Sequence, residues 1–304
     1  MKEYADKQGV CFFAYNNDQL DYVSMAITAA LYVKKYLKLP VALITDEGSE
    51  LWLEQSQDEK VINKAFDYII TTNDVMKPNH RRHFDSPWTE FNAQFSNSNK
   101  HKIFEYSPFE QTLLLDIDYI VKTDVLLKYF DTDKHVIMFD NALTLRNQLP
   151  AERERMLYDA GIKMWWSTVV YFDRSEFSRM FFDTWAHVAD NYEFYQYLYN
   201  FPSKLFRTDY CVSIAVHVLT GMVGRDDLFG NFNDTPLINM SQKDDIVEAI
   251  NDNEWIFIAH DPKEEWKNIL VRSSNQDVHV MNKRALGRIK DKVMETIHEW
   301  RTDS

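Results

Sequence analysis

Apolar residues in this chain fall into short blocks separated by polar joints, and the blocks alternate between two periods. Gly9 to Tyr15 (GVCFFAY) is a continuous apolar run, read as a buried first strand, and Asn16-Asn17-Asp18 forms a polar turn at its end. From Leu20 to Leu37 the apolar positions Tyr22, Ala26, Ala29, Val33 and Leu37 recur at helical spacing. Pro40 to Asp46 (PVALITD) reads as a second buried strand, a helix is expected around Ser49 to Gln55, and Phe66 to Thr71 is a third strand. This β-α-β-α-β opening predicts a parallel sheet with helices on both faces. Ligands bind such sheets at the carboxyl ends of the strands. Asn16, Asn17, Asp18 and Asp46 stand at such ends.

Residues 73–99 are polar, show little regularity and read as a long loop, with Arg81 and Arg82 within it. A short helix is expected from Lys102 to Ser107. Leu113 to Val121 (LLLDIDYIV) reads as a central strand, and Val136 to Asp140 as another. A polar connection with Arg146, Arg153 and Arg155 leads to a strand at Met164 to Asp173. One long aromatic-rich helix is expected from about Ser175 to Tyr199, ended by Phe201-Pro202. A second is expected from Thr208 to Leu219, with Thr208 or Asp209 as cap and Gly221 as stop. Two later strands carry histidines, Trp255 to His260 and Asp277 to Met281. Asn282 then caps an amphipathic helix with Leu286, Ile289, Val293, Ile297 and Trp300 on one face. There is no internal repeat and no low-complexity linker. The expectation is a single α/β domain over 1–304, with a ligand-holding half at about 9–140 and an acceptor-building half at about 141–304.

The chemistry concentrates in LLLDIDYIV. On a strand, Asp116 and Asp118 project to one side and Ile117 to the other. Two adjacent carboxylates at the end of a buried strand repel each other and are costly to desolvate. A divalent cation removes both penalties, and Mg²⁺ or Mn²⁺ held this way fills its remaining positions with water and phosphate. A third ligand is expected from His279 or His260. Lys283, after His279, is placed to put an ammonium on a diphosphate; Lys263 repeats that arrangement more weakly after His260. Asp209 reads either as a helix-terminal acid or as a group for sugar hydroxyls. Trp165 and Trp166 read as core or as stacking platforms, and Ser167 and Thr168 as hydroxyl donors.

Composition narrows the partners. Among 304 residues there are only 7 glycines, and neither Gly-rich phosphate fingerprint occurs. The formal net charge of −13 opposes a broad grip on nucleic acid, unless Arg81, Arg82, Lys100 and Lys102 make a local patch. The 2 cysteines, Cys11 and Cys211, lie in apolar surroundings and read as buried thiols of a reducing compartment. The polar start of the chain and the absence of a membrane-length apolar run give the expectation of a cytoplasmic protein.

The blocks CFFAYNN (Cys11 to Asn17), LITD (Leu43 to Asp46), LLLDID (Leu113 to Asp118) and VHVMNK (Val278 to Lys283) together resemble the GT-A-fold glycosyltransferases. The likeness is to the family 8-like enzymes (glycogenin and bacterial galactosyltransferases) and, more closely, to small glycosyltransferase-like proteins of large tailed phages. Two family motifs differ here: Trp166-Ser167-Thr168 replaces an Asn-Ser-Gly strand, and the family's late His-x-x-Gly-x-x-Lys-Pro-Trp is not intact at either histidine.

The resemblance implies a mixed, mainly parallel Rossmann-like sheet, a nucleotide-diphosphate sugar donor, and Mn²⁺ or Mg²⁺ bound by Asp116, Asp118 and His279. It implies donor contacts at Ala14, Tyr15, Asn16, Asp46, Lys102, Ile117 and Ser167, sugar contact at Asp209, and phosphate contact at Lys283. It also implies retention of anomeric configuration and, if phage-encoded, action in the host cytoplasm. The acceptor is left open between a glycan, a protein and a hydroxymethylated base in viral DNA. In the last case a flipped base would stack on Trp165 or Trp166. A non-catalytic nucleotide-sugar binding module and a nucleotidyltransferase are the competing readings; the latter commonly carries an early Gly-rich loop that this chain lacks.

Overall fold

The computed structural model describes residues 4–74, 79–95, 98–150, 155–157, 160–201, 205–223, 227–261, 264 and 267–299, the side chains of 95 and 296–299 aside. The expected contributions of Arg153, Pro202, Lys263, Ile297 and Trp300 lie outside the described residues.

The chain opens with β1 (Asp6–Phe13), α1 (Tyr22–Tyr36), β2 (Val41–Thr45), α2 (Glu47–Ser56), α3 (Glu59–Ala65) and β3 (Tyr68–Thr71). A hairpin of β4 (Asn79–Phe84) and β5 (Glu90–Phe95) follows, then a 3₁₀ turn over Lys100–Lys102 that runs into α4 (Ile103–Tyr106). β6 (Phe109–Leu115) and β7 (Tyr119–Ile120) flank a tight turn. The strands β8 (Val136–Phe139), β9 (Ala142–Thr144), β10 (Met156–Leu157) and β11 (Ile162–Lys163) lead to β12 (Trp166–Phe172). Next come α5 (Glu176–Asp190), α6 (Tyr192–Leu198) and α7 (Thr208–Leu219). β13 (Gly230–Asn231), β14 (Leu237–Met240), β15 (Asp245–Ala249), β16 (Trp255–His260), β17 (Asn268–Ser273), β18 (Val278–Val280) and α8 (Lys283–Glu299) complete it.

The central sheet has seven strands in the order β13-β8-β12-β6-β1-β2-β3. β6, β1, β2 and β3 are mutually parallel, and β13 is parallel to β8; β12 runs antiparallel to both its neighbours. The mixed, mainly parallel α/β class expected from the sequence is therefore observed. Side chains alternate faces along a strand, so strands buried at every position have both faces covered. β2, β8 and β12 are of this kind. One helical set joins α1 to α3 and α8; another joins α5 to α7 and to the 3₁₀ turn, with α7 laid on β12. No helix among the described residues is long and apolar enough to cross a membrane.

A second sheet, β7-β18-β14-β9, sits just past the end of β6. It pairs His279 with Tyr119 on one side and with Asn239 on the other. This register ties the late histidine strand to the segment that carries Asp116 and Asp118.

Several local expectations change. LLLDIDYIV is not one strand: β6 stops at Leu115, and the Tyr119 amide bonds back to the Asp116 carbonyl (2.9 Å), making a turn over residues 116–119. The long polar loop contains the β4–β5 hairpin, whose polar side chains hid its strand pattern. The expected long helix breaks at Asn191 into α5 and α6. Arg207, not Thr208 or Asp209, stands at the N-cap of α7. Gly221 (φ +74°) does end that helix, and the Asn282 side chain does cap α8, accepting from the Ala285 amide (3.0 Å).

Candidate metal and phosphate site

The turn after β6 places both carboxylates against β18. Ligand atoms of Asp116, Asp118 and His279 lie within 4.8 Å of one another, the only such group among the described residues. The Asp118 carboxylate is 3.3 Å from His279 Nε2 and bonds the Lys283 ammonium. Its backbone carbonyl accepts from the Val280 amide (2.7 Å), which fixes the turn on the strand. Asp116 bonds the buried Lys100 ammonium (2.6 Å), and Lys100 also donates to the Ser167 carbonyl. The Asp116 amide donates to the Thr168 carbonyl (2.9 Å), so β12 carries the other wall.

The two carboxylates are unequal. Burial would raise Asp118, but the Lys283 ammonium and then His279 hold it well below the usual carboxylate range. For Asp116, burial wins: its carboxyl is raised, with Lys100 opposing and Asp118 adding repulsion. Its side chain is still 34% exposed, so water softens that push.

His279 Nδ1 is 2.9 Å from the Asn239 side-chain oxygen, which only accepts. Nδ1 therefore donates to Asn239, which turns Nε2 toward Asp118. A histidine fixed this way is prepared as a metal ligand. Two carboxylate oxygens and an imidazole nitrogen suit Mn²⁺, and Mg²⁺ less well. His260, the rival, is elsewhere: it sits on β16, and its amide bonds Asp244 (2.8 Å).

Asp209, in the first turn of α7, accepts from the Ser167 amide (3.0 Å) and hydroxyl (2.9 Å) and pairs with Arg207 (3.3 Å). Burial opposes its charge, but Arg207 and Ser167 hold its carboxyl below the ordinary value. It is ionised and faces the same cleft as Lys283 and Asp116. Arg81 and His83, from β4, close that cleft. Burial, then Arg81 and two other cations, push His83 down to about 4, so it is neutral at pH 7.

At the neighbouring strand ends, Asn16 is largely committed: its amide donates to the Ser49 hydroxyl (2.8 Å) and its side-chain oxygen accepts from the Val23 amide (3.0 Å). Asp46 caps α2 through the Ser49 amide (2.7 Å). Ala14, Tyr15 and Ile117 are buried. Lys102 does not line the cleft; its ammonium pairs with Asp74 (2.6 Å) past the end of β3.

Sequence reading missed Lys100 as a site residue, and it missed Asn239. Asn239 had a signal, a lone amide in the apolar run Leu237 to Met240. The basic patch weighed for nucleic acid does not form: Lys100 is buried, Lys102 is held by Asp74, and Arg82 pairs with Glu90. Trp165 and Trp166 are 3% and 5% exposed, so neither offers an open face to a flipped base.

No protein-family model matches the chain, and no curated protein matches it. Among solved structures it is similar to the galactosyltransferase LgtC in complex with donor and acceptor sugar analogs (12% identity, TM-score 0.47, 98% of this chain and 100% of that one). It is also similar to the glycosyltransferase GlyE of Streptococcus pneumoniae (14% identity, TM-score 0.40, 75% of this chain). The matched part is less than half of GlyE, 46% of its length. A glucose-1-phosphate thymidylyltransferase described as putative, from Bacillus anthracis, is similar at 8% identity and TM-score 0.41, over 74% of this chain and 85% of that one. Scores below 0.5 assign neither an activity nor a site to this chain.

Proposed function

We propose that the chain is a metal-dependent GT-A-type glycosyltransferase that moves a sugar from a nucleotide-diphosphate donor to an acceptor hydroxyl, with retention. The observation that supports this reading is the convergence of Asp116, Asp118, His279 and Lys283 past the end of a parallel strand. Asp116, Asp118 and His279 would hold Mn²⁺ or Mg²⁺, which when bound supplies positive charge to the diphosphate leaving group. Lys100 and Lys283 now balance the carboxylates one to one. With a cation as counter-charge, both ammoniums would be free to donate to phosphate oxygens. The role expected of Lys102 passes to Lys100. Asp209, ionised and beside the Ser167 hydroxyl, is suited to accept hydrogen bonds from sugar hydroxyls. The nucleoside would be held at the strand-end segment of Ala14, Tyr15, Asn16 and Asp46, with Ile117 beside it.

The cleft offers about 90 Å³. Lys100, Lys283 and the Arg81 and His83 residues of the β4–β5 hairpin line that space, so a donor diphosphate held there would meet all four. A thermal-shift screen of nucleotide sugars with and without Mn²⁺ tests the reading. The expected result is stabilisation that requires sugar nucleotide and metal together. Asp116→Ala should lose transfer while keeping the fold; normal turnover in that variant would refute the assignment.

A further inference from the structure

A second, larger cavity of about 1110 Å³ opens beside the cleft. It lies between the segment 98–102, the end of α5, α6 and Phe206. It meets the first at Phe206, which lines both. The Asn79 side-chain amide donates to the Phe206 carbonyl (3.2 Å), so the start of the β4–β5 hairpin forms the threshold between them. The volume lies just above the range of about 300–1,000 Å³ seen for small-molecule pockets.

α6 explains the lining. Its Tyr192 and Tyr195 turn inward and are 6% and 9% exposed. The opposite face carries Phe194 and Tyr197, three residues apart and so neighbours on the helix, at 59% and 89% exposure. Core packing accounts for the inner pair and not for the outer one. Around the outer pair stand amides, from Asn99 and Asn191 among others, and the acids Asp190 and Glu193. The basic side chains on this wall are His101, which burial holds below its usual range and so neutral at pH 7, and Lys102, which is already paired with Asp74.

We infer that this cavity is the acceptor site and that the acceptor is a neutral carbohydrate chain. The inference rests on the glycosyltransferase reading above and names the substrate class for it. Open aromatic faces take the C–H faces of sugar rings, while amides and carboxylates satisfy hydroxyls as donors and acceptors. A polyanion would meet two acids and no unpaired lysine, so a nucleic acid is disfavoured. A chain seated on α6 reaches the cleft past Phe206 and presents a terminal hydroxyl there. That oxygen forms the new bond to the anomeric carbon. The bond from that carbon to the diphosphate oxygen breaks, its electron pair leaves with the nucleoside diphosphate, and the hydroxyl proton passes to that diphosphate.

The test uses the full chain and the double variant F194A/Y197A, both at exposed positions, with Asp116→Ala alongside. Three readouts are taken on each protein: binding to an array of neutral oligosaccharides, binding to hydroxymethylcytosine-containing duplex DNA, and thermal shift with nucleotide sugars plus Mn²⁺. The expected result is neutral-glycan binding by wild type, weakened about tenfold or more in F194A/Y197A, with the donor-and-metal shift unchanged. Asp116→Ala should show the reverse pattern. No glycan binding, glycan binding that survives the double variant, or binding of the DNA instead would overturn the acceptor inference while an intact donor shift leaves the transferase reading standing. Loss of the donor shift in wild type counts against that reading alone.

Discussion

Asp116→Asn and Asp118→Asn should have unequal consequences for stability although both remove one carboxylate from the same turn. The Asp118 side chain is 3% exposed and its partner Lys283 is 13% exposed. Removing one member of a buried ion pair costs about 3–5 kcal/mol, because the other charge is left uncompensated. Lys283 can turn toward the cleft, which places the expected loss near the lower bound, about 3 kcal/mol. That corresponds to a fall in Tm of roughly 5 °C for a chain of 304 residues. Asp116 is different. Its carboxyl is raised, so the folded state tolerates its neutral form, and Lys100 keeps the Ser167 carbonyl when the charge is gone. Asp116→Asn should therefore shift stability by on the order of 1 kcal/mol or less in either direction. Differential scanning calorimetry of the three proteins, with and without Mn²⁺, measures both effects. Both variants should lose the metal-dependent rise in Tm. Equal destabilisation of the two variants, or an Asp118→Asn protein that melts with wild type, would refute the charge assignment. The pH dependence follows in sign: with the folded Asp118 pKa lowered, the unfolded state binds the proton more readily, so this stabilisation is present above about pH 4 and fades as acid approaches the folded value.

Three further outcomes follow from the packing. Asn239→Ala frees the His279 ring and should weaken Mn²⁺ binding by about 10–100-fold in titration calorimetry; unchanged affinity would remove Asn239 from the account. Lys122 is 1% exposed, has no hydrogen-bond partner for its ammonium, lies 4.0 Å from the Trp255 ring, and is pushed down to about 7 by burial. The unfolded chain then binds the extra proton between about pH 7 and 10.4, so wild-type stability rises with pH in that window. Lys122→Met should flatten that slope and stabilise the protein at pH 7 by about 1–4 kcal/mol; a steeper slope or a lower denaturation midpoint would contradict the burial argument. Gly9 on β1 faces the Phe109 ring so closely that a Cβ overlaps it. Gly9→Ala should cost about 1–3 kcal/mol in urea unfolding, and a neutral result would mean the ring has room to move.

Much of this architecture was legible in the order of residues. β2 and β8 are continuous apolar runs because both their faces are covered, and such runs need no tertiary information to be found. Trp255 to His260 and Thr208 to Leu219 were bounded as observed. The hairpin was hidden because NHRRHF and its partner bury few side chains; His83 alone is fully inside β4. The turn at 116–119 was mistaken for strand because flanking leucines and Tyr-Ile-Val continue the apolar pattern across it. Asp116, Asp118, His279 and Lys283 were legible as chemistry, since charges amid apolar residues need partners. Lys100 was not: it lies in a polar stretch, and only the 3₁₀ turn packed on α5 directs it inward to Asp116. Asp209 read equally well as a cap until the structure tied it to Ser167.

Electron paramagnetic resonance of Mn²⁺ titrated into the protein with a nucleoside diphosphate addresses the metal and phosphate assignment directly. Bound Mn²⁺ should show coupling to one imidazole nitrogen and to phosphorus, with the nitrogen coupling lost in His279→Ala and retained in His260→Ala. A spectrum of free aquated Mn²⁺ at saturating protein, or nitrogen coupling that persists without His279, would contradict it.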